Sequence, residues 1–202
     1  MSFYRNQLEA WLKTISVNSD RAVDIGGASN PARGRVGKWD VDDCVFLDLG
    51  KEKPVVSYIP FDLNLPYDVQ LMKTGYRYED LEKVFRFDVL FCLEVFEYIW
   101  NPVQAIRNIW SLMAYDSVAY VSFPAVYPVH NPFEIDYLRY TRQAVMEYFN
   151  MFGFTQIELT SRRATKGRQA LSEFYTLEGM HPLRKSELPY DIGYLVKARR
   201  LS

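Results

Sequence analysis

Cysteine and histidine are scarce, with two of each in 202 residues: Cys44, Cys92, His130 and His181. The cysteines form no CxxC pair and lie in apolar runs. They predict free thiols in a reducing compartment, not a disulfide framework. The same scarcity argues against a zinc site built on Cys and His, and no metal is expected. Excess charge of one sign is also missing, since 24 Lys and Arg face 25 Asp and Glu. A balanced chain has no general attraction to nucleic acid or to an anionic membrane. No uncharged apolar run is long enough to span a bilayer, because the most apolar stretch, 87–100, carries Asp88, Glu94 and Glu97. Residues 1–20 lack the apolar core of a signal peptide, so the expected location is cytoplasmic.

Three glycine signatures are absent as well. A GxGxxG from Gly26 needs glycine at 28 and 31, where Ala28 and Pro31 stand. A phosphate-binding loop ending at Gly37-Lys38 needs glycine at 32 and Ser or Thr at 39, where Ala32 and Trp39 stand. GxSxG around Ser29 fails at Pro31.

What is present is the balance of a folded domain, 49% apolar and 24% charged, in a length typical of one domain. Aromatics reach 16%, which suits either an aromatic-lined cavity or a stiff core. Leu8, Trp11, Leu12 and Ile15 recur at helical spacing. Short apolar runs predict strands over 21–25, 45–49, 55–59, 87–93, 118–123, 155–159 and 192–198. Between them, Asn101 and Pro102 open one helix as N-cap and first residue, and Thr141 opens another that Gly153 ends. Pro31, Gly34 and Gly37 limit any helix in 30–43 to one or two turns. Near-continuous apolar strands separated by helices predict a doubly wound α/β fold: a mostly parallel, Rossmann-like sheet of about seven strands with helices on both faces.

Open parallel sheets bind ligands beyond the carboxyl ends of their strands. The turn Gly26-Gly27-Ala28 stands there, unless it is only a structural turn. Asp48, twenty-two residues past Gly26, suits a ribose diol or is an exposed acid at a strand end. Asp62 can accept from an exocyclic base amine, or it belongs to a proline-bounded turn. Arg162, Arg163, Lys166 and Arg168 make a basic run, read as a solvated loop or a clamp for an anionic substrate.

The segment 87–102, FDVLFCLEVFEYIWNP, resembles the fourth-strand motif of class I S-adenosylmethionine-dependent methyltransferases. There an FDvv strand leads into a vlEH turn and a helix. The resemblance covers 22–154 and includes the segment after the fifth strand, with Pro128, His130, Pro132, Asp136, Tyr137 and Arg139. It implies S-adenosyl-L-methionine as cofactor, with Asp24, Gly26, Gly27 and Ala28 at the first motif. Asp48 and Leu49 would lie at the ribose, Asp62 and Leu63 at the adenine, and Cys92, Leu93 and Glu94 along the methionine end. Ala28 and Asn30 replace the second and third glycines of the motif, and Tyr98 replaces the histidine of vlEH. Met113, Ala114, Tyr115, Asp116 and Ser117 replace a glycine-containing turn. His130 is the candidate base, since its ordinary pKa is about 6.5, or a loop histidine bonded to backbone. Tyr98 and Tyr137 would shape an acceptor pocket or belong to the core or rim. Arg139 would hold an anionic group or pair with Glu134 or Asp136.

The implied activity is methyl transfer to a small-molecule acceptor, without nucleic acid or membrane as partner. The alternative is a noncatalytic, methyltransferase-like binding protein. A nicotinamide oxidoreductase is opposed by the failed GxGxxG. The chain reads as one domain over 1–202, with an amino-terminal helix in 1–20 and a lid or insertion at 161–190.

Overall fold

Seven strands and four helices follow one another in a computed structural model that describes residues 3–49, 54–73, 86–126, 135–163 and 191–201. The order is α1 (Phe3–Lys13), β1 (Ser16–Ile25), β2 (Lys38–Asp48), β3 (Ile59–Pro60), α2 (Tyr67–Lys73), β4 (Phe87–Cys92), α3 (Pro102–Leu112), β5 (Met113–Pro124), α4 (Arg142–Met151), β6 (Thr155–Arg163) and β7 (Asp191–Arg200). They form one sheet in the order β3-β2-β1-β4-β5-β7-β6. The β1–β2, β2–β3, β1–β4 and β4–β5 pairs are parallel, and β7 runs antiparallel between β5 and β6. The strand order therefore reverses at β1, which opens a crevice beyond the carboxyl ends of β1 and β4. Among the described residues no helix is long and apolar enough to cross a membrane.

Side chains alternate along the central strands between two apolar clusters, as a period of two requires. Val23, Ile25, Leu90 and Val121 join one cluster with Ile106 and Ile109 of α3 and Val145 and Phe149 of α4. Ala22, Val89, Phe91 and Tyr120 join the other with Leu8 and Leu12 of α1. The expected caps form: Asn101 accepts from the Gln104 N–H at 3.4 Å, and Thr141 Oγ1 from the Ala144 N–H at 3.2 Å. Gly153 has φ +76°, the left-handed conformation that ends α4.

Several boundaries differ from the sequence expectation. α1 stops at Lys13, and β1 begins at Ser16, inside the 1–20 segment. β2 begins at Lys38, not at residue 45. The polar residues of these extensions are held by a long parallel ladder, Ser16 against Lys38 through Ile25 against Leu47. Between the two strands only one short 3-10 turn remains, Ala32–Gly34. The third strand is Ile59–Pro60, much shorter than 55–59, because the Val55 N–H bonds to the Ala28 carbonyl at 2.8 Å and not to a neighbouring strand. Before β5's main pairing, the register jumps from Phe87–Met113 to Val89–Val118. Asp116 carries φ +59° in this bulge, the conformation a glycine would otherwise supply.

β6 forms an edge of the sheet. There the Gln7 side chain accepts from the Arg163 N–H at 2.8 Å and donates to the Arg163 carbonyl at 2.7 Å, tying α1 to the far strand.

Candidate functional site

The turn after β1 is built from inside. Gly26 has φ +74°, and a Cβ there would lie 2.4 Å from Val95 Cγ2. A Cβ on Gly27 would lie 2.2 Å from Asp24 Cγ. Asp24 is 2% exposed, and its Oδ2 accepts from the Ala32 N–H at 2.6 Å. Burial pushes its carboxyl up to about 7; Asp48 adds to the rise, while the Ala32 hydrogen bond, Arg35 and Arg33 oppose it. Ala28 is buried. Its N–H donates to Asp48 Oδ2 at 3.2 Å. The first turn and the acid after β2 are thus joined directly, while Leu49 projects outward, 52% exposed.

The segment after β3 is braced by amides. Asp62 Oδ1 accepts from the backbone and side-chain nitrogens of Asn64, both at 2.9 Å, and the Asp62 N–H donates to Gln70 Oε1. Leu63 is buried, and its carbonyl accepts from Asn108 Nδ2 at 2.9 Å. Asn64 Oδ1 accepts from the N–H groups of Trp100 and Asn101 at 2.9 and 3.0 Å, joining this segment to the turn after β4.

At the end of β4, Cys92 and the following Leu93 are buried, and burial drives the Cys92 thiol well above its ordinary range. Both cysteines are free, Cys44 only half-buried. Glu94 follows with φ +57°. Its N–H donates to Ser122 Oγ at 2.7 Å, Ser122 donates back to Glu94 Oε1 at 3.1 Å, and Arg162 donates to the same oxygen at 2.7 Å. A 3-10 turn, Phe96–Tyr98, then places Tyr98 half-buried and buries Glu97. Burial, with Glu94 and Asp136 nearby, pushes the Glu97 carboxyl up to about 7.

The segment after β5 meets this turn through the Tyr137 N–H, which donates to the Glu97 carbonyl at 2.7 Å. The Tyr137 side chain is 48% exposed. Arg139 closes on Asp136, Nη2 to Oδ2 at 2.7 Å, one of the pairings the sequence offered. The basic run needs correction: Arg162 is not in a solvated loop but in β6, fully buried by its pairing with Glu94. Lys166 and Arg168 lie outside the described residues, as does the rest of the expected lid, 164–190, and so does His130. Sequence reasoning missed the bracing by Asn64 and Asn108, and the burial of Glu97, Ser122 and Arg162. Glu97 alone left a signal, as the acid of the vlEH-like turn.

Solved structures share this architecture. A carbon methyltransferase, CurJ, superposes with a TM-score of 0.60 at 13% identity over 92% of this chain. A SAM-dependent methyltransferase from Archaeoglobus fulgidus gives 0.59 at 11% over 97%, and one from Mesorhizobium loti 0.57 at 15% over 98%. The fold is that of the class I S-adenosylmethionine-dependent methyltransferases. This chain spans 49% of the CurJ protein's length but 94% and 98% of the other two methyltransferases. No family model matches the sequence, and no curated protein matches it. At such identities the methyltransferase fold is what is shared.

Proposed function

We propose that this chain binds S-adenosyl-L-methionine beyond the carboxyl ends of β1, β2 and β4 and transfers its methyl group to a small-molecule acceptor. The observation that carries this reading is the direct link of the β1 turn to Asp48, through the Ala28 N–H, at the point where the strand order reverses. The donor chemistry fits. Gly26 is exposed within an otherwise covered turn, so its backbone is open to a ligand on the side away from Val95. The carboxylates of Asp48 and Asp62 suit the ribose hydroxyls and the adenine amine, with Leu49 and Leu63 beside them. Asp24, Gly27 and Ala28 hold the turn from below, and Cys92, Leu93 and Glu94 form the opposite wall. Bound there, the cofactor supplies a methyl carbon already made electrophilic by its sulfonium. The chain's task is then to orient the acceptor and take up its proton. His130 is assigned as that base, with Tyr98 and Tyr137 lining the acceptor side.

The sheet is read as doubly wound with helices on both faces. The division of α1 from α3 and α4 between two apolar clusters supports this. The whole of 1–202 is taken as one domain, with 161–190 as lid or insertion.

A noncatalytic binding protein is the second reading. It is favoured by the inward pairing of Arg139 with Asp136, together with Tyr98 in place of histidine.

Native mass spectrometry and thermal melts test the cofactor. A ligand at a hundredfold excess over its dissociation constant adds about 2.7 kcal/mol. For this length that raises the melting temperature by about 5–10 °C. Shifts with S-adenosylmethionine and S-adenosylhomocysteine support the site. No shift with either, or a shift with NAD alone, rejects it. Binding without turnover over a panel of small acceptors favours the second reading.

A further inference from the structure

Glu94 is fixed by contacts that fall on one of its two carboxylate oxygens. Its backbone lies at φ +57°, a region sparsely populated by residues other than glycine. Such outliers cluster at ligand sites, where surrounding contacts over-determine them. Those contacts are present here. Ser122 accepts the Glu94 N–H and donates to Oε1, closing a small ring between backbone and carboxylate. Arg162 donates to Oε1 from a side chain that is 0% exposed, whereas Glu94 remains 32% exposed. Among the described residues no donor reaches Oε2. Ser122 belongs to β5 and Arg162 to β6, so elements far apart in sequence converge to orient one carboxylate at the rim of the crevice.

An ionised carboxylate accepts most strongly from a charged N–H donor. The proposed cofactor carries one such group, the ammonium of its amino-acid end. We propose that Arg162 is a positioning residue which, with Ser122, aims Glu94 Oε2 at the ammonium of the bound cofactor. The inference rests on the cofactor reading above. The buried arginine does not touch the ligand. It holds Glu94 in its orientation before the ligand arrives.

The test compares S-adenosylhomocysteine with its analogue lacking the amino group, by titration calorimetry at neutral pH. The wild-type protein is expected to prefer the amino-bearing ligand by about tenfold or more, the worth of a charged hydrogen bond. Glu94→Gln and Arg162→Met should erase that preference by weakening only the amino-bearing ligand, and Arg162→Lys should restore part of it. Because Arg162 is fully buried, Arg162→Met can fail to fold. Ser122→Ala then carries the same expectation in smaller measure, with folding checked by circular dichroism. A retained preference in Glu94→Gln and Ser122→Ala overturns the inference, as do equal losses for both ligands, which mark a purely structural role. If the wild-type protein binds neither ligand, the cofactor reading itself fails and the inference with it.

Discussion

Asp24 and Glu97 both keep their protons up to about 7, against ordinary values of 3.8 and 4.5. Between those limits the folded chain binds more protons than the unfolded one, so stability falls as pH rises from about 4 to 7 and then levels. Each group contributes up to about 1.4 kcal/mol per pH unit. Asp24→Asn should remove about half of that slope. The variant should be more stable than wild type at alkaline pH, with the advantage vanishing toward acid, as read from urea melts across pH. Curves that stay parallel reject the assignment. Binding gives a second prediction. Asp48→Ala should weaken S-adenosylhomocysteine by about 1.5–3 kcal/mol per lost charged hydrogen bond in calorimetry. Asp62→Ala should lose less at the ligand, because Asp62 Oδ1 is already occupied by Asn64. Unchanged affinity in Asp48→Ala places the ribose elsewhere. Asp48 could be found in the sequence because its distance from Gly26 is a local quantity. Glu94 with Arg162 could not, since 68 residues separate them and nothing in a basic run says which arginine is buried.

At the scale of elements, the turn after β1 and the turn after β4 are one packed unit. Gly26 combines φ +74° with a 2.4 Å approach of Val95 to the place of a Cβ. Gly26→Ala should therefore cost about 1–2 kcal/mol for the backbone alone, and more for the clash. Val95→Ala in the same chain should recover the steric part only, so the double variant should be less destabilised than the sum of the singles in denaturant melts. Additive losses would show that the two turns are independent. The helices that announce themselves by Asn101-Pro102 and by Thr141 were legible because capping is local chemistry. The first halves of β1 and β2 were not. Asn18, Asp20, Asp40 and Asp42 carry no apolar signal, and they are extended because each strand supplies the other's backbone partners. Conversely, Val55 and Val56 look like a strand, but the Val55 N–H is drawn to the Ala28 carbonyl.

Over the whole molecule, the number of strands and their places along the chain follow from the pattern of short apolar runs, whereas their order in the sheet and the length of each depend on pairing between distant segments. One such distant contact, Gln7 on Arg163, protects the molecule from itself. A side-chain amide that both donates and accepts imitates a neighbouring strand's peptide group, and it occupies the end of the exposed edge of β6. Unpaired edges are templates for pairing with other chains, and folded proteins blunt them. Gln7→Ala, which leaves the core residues Leu8 and Leu12 of α1 in place, should free that template. The expected outcome is concentration-dependent polymerisation seen by light scattering under conditions where the wild-type chain stays dispersed. If the Gln7→Ala chain remains equally dispersed, the edge is guarded by other means. If dispersal is lost with Gln7, α1 does more than pack Leu8 and Leu12 on the sheet: it is a plug against filament growth.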